Sequence, residues 1–162
     1  MGNEILKCSI KDWAAWSPGL DTKQDWQNWF SNGESRSDEN SPDISFMPRM
    51  LRRRLSRMTK MALYVAEQCA KENKDLYNIF CSGRGEYDHS LKVLNEICSG
   101  EDVSPASFGA SVHNTSQGLF SIFQSNQQPA LFLSGHSNTL EQAISVACAK
   151  LVDGEEQVLV VY

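Results

Sequence analysis

Residues 130–162, ALFLSGHSNTLEQAISVACAKLVDGEEQVLVVY, constrain the fold more than any other part of the chain. Residues 130–133 are an apolar run of strand length, and Ser134-Gly135 breaks it. Gly135 has a backbone freedom that suits a sharp elbow. From Leu140 the apolar residues recur at Ala143, Ile144, Ala147, Cys148 and Leu151, the spacing of one helical face. Asp153-Gly154 stops that helix, and residues 157–162 (QVLVVY) read as a returning buried strand. A strand turning directly into a helix points the helix's free N–H groups into the turn, where they favour negative charge and a nucleophile. The elbow here carries His136, Ser137, Asn138 and Thr139, and no cysteine.

The remaining sequence extends the same pattern. Residues 5–13 (ILKCSIKDW) predict a first strand, Pro18-Gly19 a turn, and Asp21-Thr22 the cap of a short helix bearing Trp26, Trp29 and Phe30. The four tryptophans read as anchors of that helix on the sheet, with an aromatic pocket as the alternative. Residues 31–45 are polar, with Gly and Pro and little to bury, and are expected to form an exposed loop. Pro48 opens a predicted long helix with Leu51, Leu55, Met58, Ala62, Val65 and Cys69 along one face. Residues 77–82 predict another strand, Gly83-Arg84-Gly85 a tight turn that falls short of a phosphate-binding fingerprint, and residues 88–97 a helix ended by Ser99-Gly100. Residues 103–108 read as a loop. Residues 115–123 read as a helix capped by Asn114, with Gly118 allowing close packing. Strands alternating with helices predict an α/β layered fold, its sheet mostly parallel and flanked by helices.

Composition narrows the function classes. With 162 residues, 41% hydrophobic and 22% charged, the chain has enough material for one packed core. A formal net charge of −5 argues against nucleic acid as a partner. No apolar run approaches the about 20 residues of a membrane span, and the start of the chain lacks the pattern of a secretory signal. The five cysteines, Cys8, Cys69, Cys81, Cys98 and Cys148, form no CxxC pair and no metal-ligand spacing with histidine. No metal and no cofactor are therefore expected, and a reduced, cytoplasmic setting is. Arg49, Arg52, Arg53, Arg54, Arg57 and Lys60 form a basic cluster without an acidic neighbour; it is either a solvated face or a docking surface for an acidic partner. His113 and His136 both stand at strand-to-helix junctions and could share a site, or His113 and Asn114 could simply brace the helix start; His89 reads as exposed.

LRRRLSRMTKMAL, SGRGE, VSPASFGASVHNTSQGLFSI, the elbow and DGEEQVLVVY follow in the order seen in β-ketoacyl synthases. On these segments the chain, from about residue 5 to residue 162, resembles the β-ketoacyl synthase-like N-terminal domain family, with SVHN at 111–114 similar to the signature of chain-length-factor-type subunits. The resemblance implies a thiolase-like half with sheet and flanking helices, and a single domain over residues 1–162, truncated relative to a complete synthase. In active relatives the elbow presents a cysteine that receives an acyl group from a carrier protein, and residues of a second half assist decarboxylation and condensation. Here His136 falls at or beside the position of that cysteine. Condensation needs a thiolate to carry the acyl chain, so the resemblance implies a non-condensing subunit. Such a subunit would pair with an active β-ketoacyl synthase, or with itself, in fatty acid or polyketide (aryl polyene) biosynthesis. It would meet acyl carrier protein through the basic cluster and expose the strand before the elbow as a pairing edge. The alternative is an acyltransferase or condensing enzyme using His136, Ser137 or a displaced cysteine such as Cys81.

Overall fold

The computed structural model describes residues 6–33, 40–135 and 137–162. In chain order they form α1 (Lys23–Asn32), α2 (Arg49–Arg52), α3 (Arg57–Ala70), β1 (Tyr77–Ser82), α4 (Tyr87–Cys98), α5 (Pro105–Ala110), α6 (Thr115–Gln124), β2 (Ala130–Ser134), α7 (Thr139–Val152) and β3 (Val158–Val161). The three strands make one parallel sheet in the order β2-β1-β3. β1 is central, and this explains why YNIFCS is apolar almost without interruption: a strand covered on both faces has no solvent side to mark with polar residues. Its even and odd residues serve different layers. Phe80 packs with Leu63, Ala66 and Ala70 of α3 and with Phe120 of α6, the two phenyl rings 5.5 Å apart. Ile79 and Cys81 pack on the opposite face against Ala143 and Ala147 of α7, whose small side chains let the helix sit close to the sheet.

Several sequence expectations are met. Thr22 caps α1 in a reciprocal capping box with Asp25. The turn at Gly19 closes through mutual backbone hydrogen bonds between Ser17 and Leu20. Gly100 and Gly154, both at positive φ, follow the ends of α4 and α7. The parallel sheet with helices on both faces is the expected α/β architecture.

Other expectations are corrected. No strand forms over residues 6–13, where Leu6 and Ile10 are exposed; Ile5 lies outside the described residues. The long helix after Pro48 is two helices, because Ser56 adopts an extended backbone and its Oγ accepts the Thr59 N–H at 2.9 Å, starting α3 afresh. The buried face of α3 is Thr59, Leu63, Ala66 and Ala70, one position round from the expected stripe. The span 103–108 is not a loop throughout: Ser104 caps α5 with Pro105 in its first turn. Asn114 makes no side-chain cap bond; Thr115 Oγ1 instead donates to the Val112 carbonyl at 2.8 Å. A side chain at Gly118 would meet nothing within 4 Å, so that glycine does not serve close packing. In the expected loop 31–45, α1 reaches Asn32, Ile44 is buried in the core, and residues 34–39 lie outside the described residues. Trp26, Trp29 and Phe30 meet one another edge-on or tilted, and Trp26 Nε1 donates to the Ala15 carbonyl at 3.0 Å, so α1 rests on the segment before it rather than on the sheet.

Candidate functional site at the carboxyl end of the sheet

Parallel pairing brings the carboxyl ends of β1 and β2 to the same edge, with Ser82 opposite Ser134. Open parallel sheets bind ligands beyond these ends. Each strand then turns through glycine into a helix, β1 through Gly83-Arg84-Gly85 into α4 and β2 through Gly135 into α7. In the first turn, Ser82 Oγ accepts the N–H groups of Arg84 (3.2 Å) and Gly85 (2.9 Å). Those donors are engaged within the turn, in keeping with its reading as a structural turn rather than a phosphate cradle. Gly85 is required there. Its φ is +55°, and a Cβ on it would stand 2.7 Å from Cγ of His113.

His113 bridges the two turns. Its ring lies against Gly85 on one side, meets Phe132 edge-on at 6.4 Å, and places Nδ1 3.0 Å from Ser134 Oγ. Beyond Ser134, Gly135 is tight as well, since a Cβ there would come within 2.9 Å of Oγ1 of the buried Thr139. Ser137 and Asn138 are exposed at the mouth of the elbow, and the Gln142 N–H to the Asn138 carbonyl opens the helical ladder of α7. His136 lies outside the described residues, so the expected meeting of His113 with His136 has no geometry here; the partner that the structure gives His113 is Ser134.

Behind the first turn stands a buried carboxyl. Glu86 receives hydrogen bonds from Ser56 Oγ at 3.0 Å and from Thr59 Oγ1, and its Oε2 lies 3.1 Å from His89 Nδ1. His89 is therefore not a free surface histidine but a half-buried partner of Glu86. Sequence reasoning missed this cluster because its members are far apart in the chain; only Ser56, three residues before Thr59, carried a local capping signal.

The displaced-cysteine reading loses its candidate. Cys81 is 4% exposed, its thiol donates to the Val161 carbonyl at 3.3 Å, and burial pushes its pKa up to about 11. A reactive thiol needs the opposite environment. The basic cluster is only partly available. Arg49, Arg53 and Arg54 are exposed around Met50, whereas Arg52 is half-buried, and Arg57 reaches the Asn40 carbonyl and lies over the Trp16 ring. Among the described residues no His, Cys, Asp or Glu group is arranged to hold a metal ion, and no helix is long and apolar enough to cross a membrane.

A parallel sheet between helical layers, its edge strand turning through glycine into a long helix, is an α/β arrangement of the thiolase-like class. Residues 26–162 match the family model described as beta-ketoacyl synthase, N-terminal domain, and the chain belongs to that family. It is similar to a chain of the solved structure "Ketosynthase (ApeO) in Complex with its Chain Length Factor (ApeC) from Xenorhabdus doucetiae", at 25% identity and a TM-score of 0.84. The match covers 94% of this chain and 65% of that one, so this chain spans less than two thirds of the neighbour's length. No curated protein matches it.

Proposed function

We propose that the chain is a non-condensing ketosynthase-like subunit, of the chain-length-factor type, that works beside an active β-ketoacyl synthase in fatty acid or polyketide (aryl polyene) synthesis in the cytoplasm. In this reading residues 1–162 are one ketosynthase N-terminal domain. The observation that carries it is the elbow after β2: residues 134–139 contain no sulfur, and the cysteine closest to hand in the sheet, Cys81, is buried and held protonated. Without a thiolate there is no acyl-enzyme from which to condense. By the resemblance in sequence His136 falls at or beside the position of the nucleophile, with the exposed Ser137 next to it. A neighbour solved as a ketosynthase with its chain length factor supports the pairing. So does β2 itself, which is an edge strand, the kind of element that a partner's strand extends. Arg49, Arg53 and Arg54 are the side chains offered to an acidic acyl carrier protein, and Arg52, Arg57 and Lys60 add to the positive charge of the segment.

Co-expression with candidate synthases and sizing of the purified product tests the proposal. A stable one-to-one complex is expected, and a chain that ignores every synthase overturns it. Incubation with an acyl-carrier thioester separates the enzymatic alternative. No covalent acyl group should appear on the chain. An adduct lost on His136→Ala or Ser137→Ala establishes an acyltransferase instead. Reversing the charge of Arg49, Arg53 and Arg54 should weaken carrier binding at low salt, and unchanged affinity there rules out this docking face.

A further inference from the structure

Two of the five cysteines, 140 positions apart, are brought together by the fold: Cys8 Sγ and Cys148 Sγ stand 4.0 Å apart. Cys8 is exposed on the segment before α1, which joins no sheet, and Cys148 sits half-buried on α7. That segment is lightly held. Near Cys8 its polar tethers are Lys11 Nζ on Gln157 Oε1 at 3.5 Å and Asp12 on Lys23, all on exposed groups. A disulfide needs the sulfurs about 2 Å closer together, and a segment with no strand partner can supply that movement.

We propose that Cys8 and Cys148 are a reversible dithiol–disulfide site that, when oxidised, fastens the N-terminal segment onto α7. The other cysteines are not placed for this. Cys81 is buried with its thiol hydrogen-bonded to the Val161 carbonyl, and among the described residues neither Cys69 nor Cys98 contacts another sulfur. The chemistry is thiol–disulfide exchange with a small-molecule disulfide of the glutathione type. The exposed Cys8 thiolate attacks one sulfur of that disulfide, the S–S bond breaks, and one glutathione leaves as thiolate and is protonated by water. Cys148 then gives up its proton and attacks Sγ of Cys8, releasing the second glutathione. Two protein thiols are oxidised and one disulfide is reduced to two thiols. Burial and the neighbouring Cys8 both raise the pKa of Cys148, which suits it to the second, resolving step rather than to first attack.

The test treats the full chain with glutathione disulfide, then maps it by alkylation and mass spectrometry without reduction. The expected product loses the mass of two hydrogens and two alkylatable thiols, and yields a peptide pair joined through Cys8 and Cys148. Dithiothreitol should restore all five thiols. Cys148→Ala should halt at a mixed disulfide, with glutathione retained on Cys8; Cys148 is partly exposed, so the substitution does not open the core. Retention of glutathione on Cys8 in the unsubstituted chain, linkage through Cys98, or five unmodified thiols would each overturn the proposal.

Discussion

At the residue scale the contact that organises the carboxyl edge of the sheet is steric. Gly85 and the His113 ring are packed so closely that a methyl group between them must displace the ring. Gly85→Ala therefore incurs left-handed strain of about 1–2 kcal/mol plus a clash, while in a His113→Ala background only the strain should remain. Urea denaturation of the four variants should show that the two changes are not additive; simple additivity would mean that the ring does not rest on Gly85. Cys81 gives a second prediction, in pH. Burial raises its pKa from 9.0 to about 11, so the folded state resists a deprotonation that the unfolded chain accepts. Its contribution is fully present below pH 9 and is lost as pH rises toward 11, by about 2–3 kcal/mol. Cys69 and Tyr64 are raised too and act in the same direction, so the measurement is the difference between the parent and Cys81→Ala across that range, which should narrow as pH climbs. The sequence marked Gly85 as a turn residue and His113 as a junction residue. That they touch, and that Ser134 completes the set, depends on β2 lying beside β1 in one register, which no local pattern encodes.

At the scale of elements, the three strands were legible as short apolar runs bounded by turn residues, and α7 by the helical spacing of its apolar residues. The break between α2 and α3 was not. Its arginines and leucines are good helix formers, and the interruption is enforced from elsewhere: Ser56 Oγ caps Thr59 and also donates to Glu86, thirty positions on. Ser56→Ala thus removes a cap and leaves a buried carboxyl one donor short. We expect a loss of about 2–3 kcal/mol. Ser104 provides the control, since it caps α5 in the same way but at an exposed site without a carboxyl behind it. Ser104→Ala should cost about 1 kcal/mol or less. Equal losses in thermal or urea unfolding would show that Glu86 does not hold the start of α3. The expected apolar face of α7 was half right for a related reason. Ala143 and Ala147 meet the sheet, but Leu140 and Ile144 from the same stripe point away from it, so the helix carries apolar residues for two surfaces and the periodicity alone cannot divide them.

At the scale of the molecule that second surface is one of several places where apolar side chains meet solvent. On α7, Ile144 is 48% and Leu140 37% exposed. Isolated apolar side chains at a surface are ordinary, but two on adjacent turns of the helix that follows the elbow form a patch of the kind that partners cover. Ile144→Lys separates a role in folding from a role in association. In the chain alone the side chain is already half in water, so stability should change by no more than about 0.5 kcal/mol. Binding of a hydrophobic dye should fall, and recovery with the synthase partner proposed above should fall with it, because a lysine ammonium on a covered helix face would lose its water. A large drop in melting temperature would instead place Ile144 in the core of the single chain. A variant that is stable, binds less dye and still recovers its partner in full would move the interface off α7 and leave the β2 edge to carry the association.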